Sequence, residues 1–525
     1  MMDTLLCAAP ILFLIWAMTK RNALPSHIAL PLTAGIVGLI QVFAFHADIT
    51  LLMANALAGT LSVLTPISIV AGAILLNRVL VVSGNEQVLR DWLSSISVNP
   101  VAQLMIIGWA FAFMLEGASG FGTPAAISAP ILVGLGFPPL RVAMLALVMN
   151  SVPVTFGAVG TPIWFGFSGL SLSDSNLLDI AFNAAVVNSL AALIIPVIGL
   201  GFILDRHTIK ANLLFILLSI LVCTIPHTLF AIWNYEFPSL VGGAIGFAMS
   251  ILLAKGNIGL SRPQQGQPSP TFKGNKSVVK ALLPFLLLII ILVITRVPAF
   301  GIKQVLNDPT PLASIELNHS LLSVSHALIL SATNLLNTGV SWQYKTLYVP
   351  AIIPFLLVAL ICIPLYRLSV RDVKHITIET GSRIFLPFIS LIGALIMVKF
   401  MMMGEERAPM VLLANTFSNL LGEYWIYVAS LLGALGSFFS GSATISNLTF
   451  GAIQQTIAQS SGLSITLTLA LQSVGAAMGN MVCINNIIAV STILNIRNQE
   501  GAIIKRTVVP MLAYAAVAAL FSLAQ

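Results

Sequence analysis

Long apolar runs separated by short polar stretches fill this chain. Runs suited to crossing a bilayer fall at 4–18, 28–45, 51–77, 139–165, 176–204, 211–230, 238–254, 278–296, 347–366, 377–402, 463–495 and 507–523. About 20 apolar residues span the hydrocarbon core as a helix, so the pattern predicts about 12 transmembrane helices. Two more apolar regions, 100–136 and 422–461, are interrupted near their middles by small and polar residues. The first interruption reads Glu116-Gly117-Ala118-Ser119-Gly120-Phe121-Gly122, and the second Gly441-Ser442-Ala443-Thr444-Ile445-Ser446-Asn447. A glycine costs about 1 kcal/mol inside a helix. Non-helical backbone at membrane depth persists only where it is buried in protein or lines a cavity. Both interruptions therefore predict re-entrant hairpins whose tips build a site within the membrane.

Charge gives the orientation. The basic residues sit in short loops, among them Lys20, Arg21, Arg78, Arg90, Arg206, Lys210, Arg367, Arg371, Lys505 and Arg506. Such loops are held on the cytoplasmic side. One alternating path satisfies this, provided that 100–136 enters from and returns to the cytoplasm while 422–461 does the same from outside. Both termini then lie outside. About thirty residues after each hairpin break comes a second interrupted helix, from Leu145 to Pro162 in one half and from Leu469 to Asn486 in the other. Span, hairpin, broken span, span, in opposite orientations, is an inverted repeat of the kind secondary transporters use. The predicted organisation is thus N-terminal helices at 1–50, a first repeat at 51–204 with hairpin 100–136 and broken helix 139–165, connecting helices at 205–376, and a second repeat at 377–525 with hairpin 422–461 and broken helix 463–495. The stretch 256–277, rich in Gly, Pro, Ser and Gln, reads as a cytoplasmic linker. Within the outside loop 297–345, residues 319–336 read as an amphipathic or interfacial helix.

Composition narrows the function. The chain is 58% hydrophobic and only 8% charged, against about 25% charged in soluble domains, so its chemistry must lie within the bilayer. Its net charge of +7 is orientation information and implies no nucleic-acid partner. Cys7, Cys223, Cys362 and Cys483 are scattered, with neither metal-ligand spacing nor a disulfide framework. The chain shows no phosphate-binding loop of the ATP-driven pumps and no zinc-protease motif. The sequence thus predicts a transporter rather than an enzyme, with no cofactor and no metal. Gly117-Ala118-Ser119-Gly120 matches the Gly-x-Ser-Gly of intramembrane serine proteases, a distant alternative. The histidines, including His227, read as lying at span ends or in loops, away from Ser119.

Glu116 is the one acidic residue this reading places deep in an apolar region. A charged carboxylate there is costly, so a group that gains and loses a proton during a transport cycle fits the position. Half-helix N-termini at the hairpin tips offer free backbone amides to a carboxylate. Ser119, Thr123, Ser442, Thr444, Ser446 and Asn447 add hydroxyls and amides. Lys399, near the outer end of its span, reads as a side chain that snorkels to the interface.

These same segments carry a family resemblance. The run from Glu116 to Pro124, the run from Leu132 to Phe137 and the run from Asn150 to Ile163 closely resemble the L-lactate permease family. So do Gly441-Ser442, Ser446-Asn447, Phe450-Gly451 and the stretch from Gly479 to Val490, in order along most of the chain from about residue 50 to 523. The resemblance implies proton-coupled uptake of L-lactate, D-lactate or glycolate across a bacterial inner membrane. Two positions depart from the family pattern: Ala443 stands where an acidic residue is usual, and Asn485-Asn486 where Pro-Gln-Ser is usual. The combined expectation is an all-α polytopic membrane protein that takes up a small organic anion, a short 2-hydroxy monocarboxylate, by proton symport. Glu116 carries the proton. Gly117, Ser119, Gly120, Gly122, Thr123, Asn150, Thr155, Ser442, Thr444, Ser446, Asn447, Asn485 and Asn486 bind the substrate. The alternative is another small organic anion or an amino acid, with sodium as the coupling ion. A homo-oligomer is left open.

Overall fold

The structure, a computed structural model, describes residues 2–19, 24–120, 123–261, 277–296, 300–317, 319–349, 351–496 and 499–524. Among the described residues, 10 helices are long and apolar enough to cross a membrane, or 11 if Pro139–Met149 and Val152–Trp164, bent by 46°, count as one span. Thr4–Met18 and Ile352–Leu365 are shorter apolar helices. The protein is a polytopic membrane protein whose membrane part is all-α, and its chain folds as two compact units.

One unit comprises Met1–Glu86 and Val279–Asn419. Its longest element is the 32-residue helix Val370–Met401. A capping box starts it: Ser369 Oγ accepts from the Asp372 amide at 3.2 Å while the Asp372 carboxylate accepts from the Ser369 amide at 2.8 Å. The helix packs against Ser26–Phe43, Ile49–Ser62 and Leu64–Val82. A side chain at Gly393 would collide with the backbone of Leu30 and Pro31, so this contact needs glycine. Polar groups are paired at the same interface. Gln41 donates to the Phe400 carbonyl at 2.6 Å. Arg78 pairs with Glu379 at 2.6 Å, and Arg383 holds the other carboxylate oxygen at 2.8 Å.

The same unit corrects the expectation for 319–336. Instead of an amphipathic helix, this segment belongs to an antiparallel meander of β1 (Pro311–Leu317), β2 (Ser320–Ser325), β3 (Ile329–Leu335) and β4 (Val340–Lys345), ordered β1-β2-β3-β4. Left-handed backbone at His319 (φ 64°), Leu328 (φ 53°), Asn334 (φ 57°) and Asn337 (φ 61°) reverses the chain too often for a helix to continue. Ala332 and Leu335 of β3 bury against Ala54 and Ala58, so the sheet has a core of its own on the helix Ile49–Ser62.

The other unit comprises Gln87–Val278 and Leu420–Gln525. It contains both interrupted regions, each as a helical hairpin. In the first, Asn99 Oδ1 caps the start by accepting from the Val101 amide at 2.9 Å, and Pro100 takes the first helical position, where its missing N–H costs nothing. The arm Pro100–Ser119 includes a π-helical stretch at Leu104–Phe111. The chain then turns at Gly120 (φ 54°, ψ −145°), a conformation open essentially to glycine alone, and returns as Thr123–Gly134. In the second hairpin, Trp425–Ser440 ends on left-handed Gly441 (φ 72°) and Ala443–Ser460 follows.

Each of the unit's two chain segments also contains a helix broken by a short 3-10 segment. Pro139–Met149 passes through Val152–Phe156 into Gly157–Trp164. Ile465–Gly479 passes through Asn480–Val482 into Ile484–Ile493. Small residues let these parts approach closely. A Cβ at Gly117 would fall on the backbone of Leu240, and one at Gly475 on the Ser430 carbonyl. The first arm, 94% buried over its apolar window, lies inside the unit, whereas Glu500–Leu523, 28% buried, faces outward.

Candidate functional site

Both hairpin turns and both broken helices of this unit open onto one cavity. The space it leaves to water-sized groups is about 70 Å³, room for a few water molecules or a very small organic anion. Its wall takes Glu116 and Gly120 from the first hairpin, Asn150, Ser151, Gly157 and Ala158 from the first broken helix, Gly441 to Thr444 from the second hairpin, and Asn480 and Asn486 from the second broken helix. Ala146, Leu147, Val154, Ala489 and Val490 give it an apolar share.

Glu116 is 4% exposed. Its Oε2 accepts from Asn150 Nδ2 at 2.9 Å. Its Oε1 lies against the Cα of Gly157, where any Cβ would overlap it. Among the described residues no basic side chain forms an ion pair with it. Past Gly157 the backbone runs left-handed through Ala158 (φ 45°), Val159 (φ 59°) and Gly160 (φ 68°). Such a conformation costs a non-glycine residue roughly 1–2 kcal/mol. It is held by Thr161 Oγ1, which donates to the Ala158 carbonyl at 2.5 Å, and by Trp164 Nε1, which donates to the Val159 carbonyl at 2.9 Å.

On the opposite wall Ser442 caps the helix Ala443–Ser460, its Oγ accepting from the Ile445 amide at 3.3 Å. The first-turn amides of Ala443 and Thr444 have no acceptor within the helix, and they carry the positive end of its dipole. Asn486 donates its amide to the backbone carbonyl of Asn480 at 3.2 Å and also bonds the Asn480 side chain. Among the described residues the wall therefore offers amides and hydroxyls but no full cation, together with one buried carboxyl.

Of the residues singled out in the sequence, Glu116, Gly120, Asn150, Ser442, Thr444 and Asn486 line the cavity. Others are engaged elsewhere. Gly117 faces Leu240, and Ser119 Oγ donates to the Leu115 carbonyl at 3.0 Å. Thr155 accepts from Asn188 Nδ2 at 2.9 Å, and Asn188 Oδ1 accepts from Tyr514 at 2.6 Å. Ser446 donates to the Gly433 carbonyl at 2.7 Å and accepts from Gln472 at 3.1 Å. Asn447 donates to the Pro162 carbonyl at 2.9 Å. Asn485 adjoins Asn486 on the helix Ile484–Ile493 and is outside the cavity wall. Gly122 and the side chain of Thr123 lie outside the described residues.

Sequence reasoning missed Asn480 and Ser151. A signal existed for Asn480, since it directly follows Gly479 where a helix of small residues stops. His227, read as lying at a span end, falls about one turn before the end of Leu213–Ala231 and is fully buried there. There its Nδ1 lies 3.4 Å from Ser239 Oγ, between the rings of Phe113 and Phe156. Ser119 has no bond to it, so no nucleophile and base are assembled at the Gly-x-Ser-Gly match.

A family model described as L-lactate permease matches residues 3–525. The chain belongs to the L-lactate permease family. A Haemophilus influenzae protein with the provisional name L-lactate permease is 51% identical over 524 residues, covering 100% of this chain and 98% of its own. The glycolate permease GlcA of Escherichia coli is 27% identical over 100% of this chain and 96% of its own. The L-lactate permease of Bacillus subtilis is 24% identical over 97% and 93%. Permeases are transporters and not enzymes, so this chain is a multi-pass membrane transporter, a role that brings it a small organic anion as substrate and a lipid bilayer as surroundings.

Proposed function

We propose that this chain takes up a short 2-hydroxy monocarboxylate, L-lactate, D-lactate or glycolate, by proton symport across the bacterial inner membrane. One observation carries the reading: among the described residues, the only carboxyl on the cavity wall is Glu116, which has Asn150 as its donor and no cation paired with it. An unpaired charge in such a place is expensive, and a proton taken from the cavity removes that expense. The substrate carboxylate then meets a neutral wall and the amides of Ala443 and Thr444, which need no lysine or arginine to hold an anion. The apolar wall at Ala146, Leu147 and Val154 suits a methyl group or hydrogen at the 2-position. Ala443 brings no second carboxylate to the cavity, which favours an anion over a cation as the partner of these amides.

The two hairpins dipping from opposite faces within two inverted repeats remain our reading of the transmembrane path. It rests on the distribution of basic loops and on the repeated order of hairpin and broken helix. The test of function is counterflow of labelled lactate into proteoliposomes, with imposed proton or sodium gradients and with glycolate as competitor. Lactate exchange driven further by a proton gradient is expected. Indifference to lactate and glycolate would remove the substrate, and a response to sodium alone would remove the coupling ion. Glu116→Gln is expected to abolish accumulation against a gradient.

A further inference from the structure

We propose that Asn150 is a two-way partner of Glu116, its side-chain amide turning over when the carboxyl takes a proton. The inference rests on the reading of Glu116 as the proton carrier. In the arrangement described, Asn150 Nδ2 donates to Glu116 Oε2 at 2.9 Å. That direction requires a lone pair on the carboxyl oxygen. The other end of the same amide, Asn150 Oδ1, is buried and has no hydrogen-bond partner among the described residues. A buried acceptor that no protein group satisfies is uncommon in a folded protein, and this oxygen is therefore free to take a donor that comes and goes.

A protonated Glu116 is such a donor. The proton passes from cavity water to a carboxylate oxygen, an O–H bond forms, and the neutral acid now has a hydrogen to donate. An amide can accept it only through its oxygen. A half-turn about the last side-chain bond of Asn150 brings Oδ1 to the place of Nδ2, an exchange of nearly equal shapes. Release of the proton to water reverses the turn. Because Asn150 lines the cavity, the turn exchanges a donor for an acceptor in the wall, and the polarity offered to a substrate follows the proton.

Other charged groups do not compete for this role. The closely packed neighbours of the arm that carries Glu116 include Pro238–Lys255, with Lys255 as its last residue and Glu236 just ahead of its first. Arg141 lies on Asn150's own helix, and His227 packs edge-on to Phe113 on the arm. None of the four is bonded to the Glu116 carboxyl, whose hydrogen-bond partner among the described residues is Asn150. Asn150 is thus a positioning residue that acts through Glu116.

Infrared difference spectra of the full-length protein in lipid vesicles, taken across a pH step, test this. A carboxyl C=O band lost in Glu116→Gln belongs to Glu116. In Asn150→Leu, which neither donates nor accepts, that band should move to higher wavenumber. Proton-driven accumulation should fall by about tenfold or more, the scale of one buried hydrogen bond. Asn150→Ser, whose hydroxyl does both, should return the band and part of the accumulation. Wild-type protein carrying isotope-labelled asparagine needs no variant to fold: an asparagine C=O band should shift with the same pH midpoint as the Glu116 band and be missing from Glu116→Gln. A Glu116 band unmoved by Asn150→Leu, or one with no asparagine band that shifts beside it, overturns the two-way contact and leaves Glu116 as carrier. The absence of any Glu116 band overturns both.

Discussion

Asn447, in the return arm of the second hairpin, donates its side-chain amide to the carbonyl of Pro162, in the second half of the first broken helix, at 2.9 Å. The bond joins residues 285 positions apart and is fully buried. Both partners belong to elements that wall the cavity, so it fixes one half of the site against the other. Asn447→Ala removes the donor and leaves a buried carbonyl unpaired, at a cost of about 1–3 kcal/mol. Thermal or denaturant unfolding of purified protein in detergent should register that loss. Wild-type stability in this variant would mean that the two halves are not joined here.

How far such relationships were legible in the sequence depends on what they rest on. The interruptions were legible, because glycine and polar residues in an apolar run violate helix chemistry locally. So were Glu116, Asn150, Ser442 and Asn486 as members of those interruptions. The partner of each polar side chain was not. Ser446 and Thr155 have the same chemistry as Ser442 and Thr444, yet they point at Gly433 and Asn188 and not into the cavity. Only the packing of helices distant in sequence decides which hydroxyl is spent within the protein. The β-meander was hidden for another reason. Its strands are short and mixed in pattern, and its signal lies in Asn334, Asn337 and Gly339 at the turns rather than in any period.

Gly157 tests the position of the Glu116 carboxyl. Its backbone is extended (φ −63°, ψ 153°), which any residue adopts, so alanine brings no backbone strain. Its Cβ would instead overlap Glu116 Oε1. Gly157→Ala should therefore leave the protein folded and lower uptake by about tenfold or more, as a displacement of about 1 Å in a built site commonly does. Gly134, with open space around it, supplies the control: Gly134→Ala should transport normally. Equal uptake by the two variants would argue against a carboxyl held at this spot.

The chain Tyr514, Asn188, Thr155 fixes the 3-10 break of the first broken helix from behind. Every member is fully buried, and Asn188 joins the other two through bonds of 2.6 and 2.9 Å. Tyr514→Phe leaves Asn188 Oδ1 without its donor, and Thr155→Val leaves Asn188 Nδ2 without its acceptor. Each should destabilise by about 1–3 kcal/mol. Because both act through one side chain, the double variant should lose less than the sum, by about 0.5 kcal/mol or more. Additive losses in unfolding measurements would show two independent contacts instead of a connected chain.

The left-handed turn at Ala158 to Gly160 makes opposite demands on two neighbouring positions. At Ala158 (φ 45°) glycine relieves roughly 1–2 kcal/mol of backbone strain. It gives up one buried methyl, worth about 0.8 kcal/mol, so Ala158→Gly should stay within about 1 kcal/mol of wild type. At Gly160 (φ 68°) alanine adds the strain, and its Cβ would also meet the Tyr235 carbonyl and the Glu236 backbone. Backbone cannot step aside as a flexible side chain does, so Gly160→Ala should cost more than about 2 kcal/mol and carry the cavity wall at Gly157 and Ala158 with it. Unfolding midpoints and lactate counterflow on the pair give the answer. If Gly160→Ala proved as stable and active as Ala158→Gly, the chain would not pass through this turn, and the wall that faces Glu116 would have to be built another way.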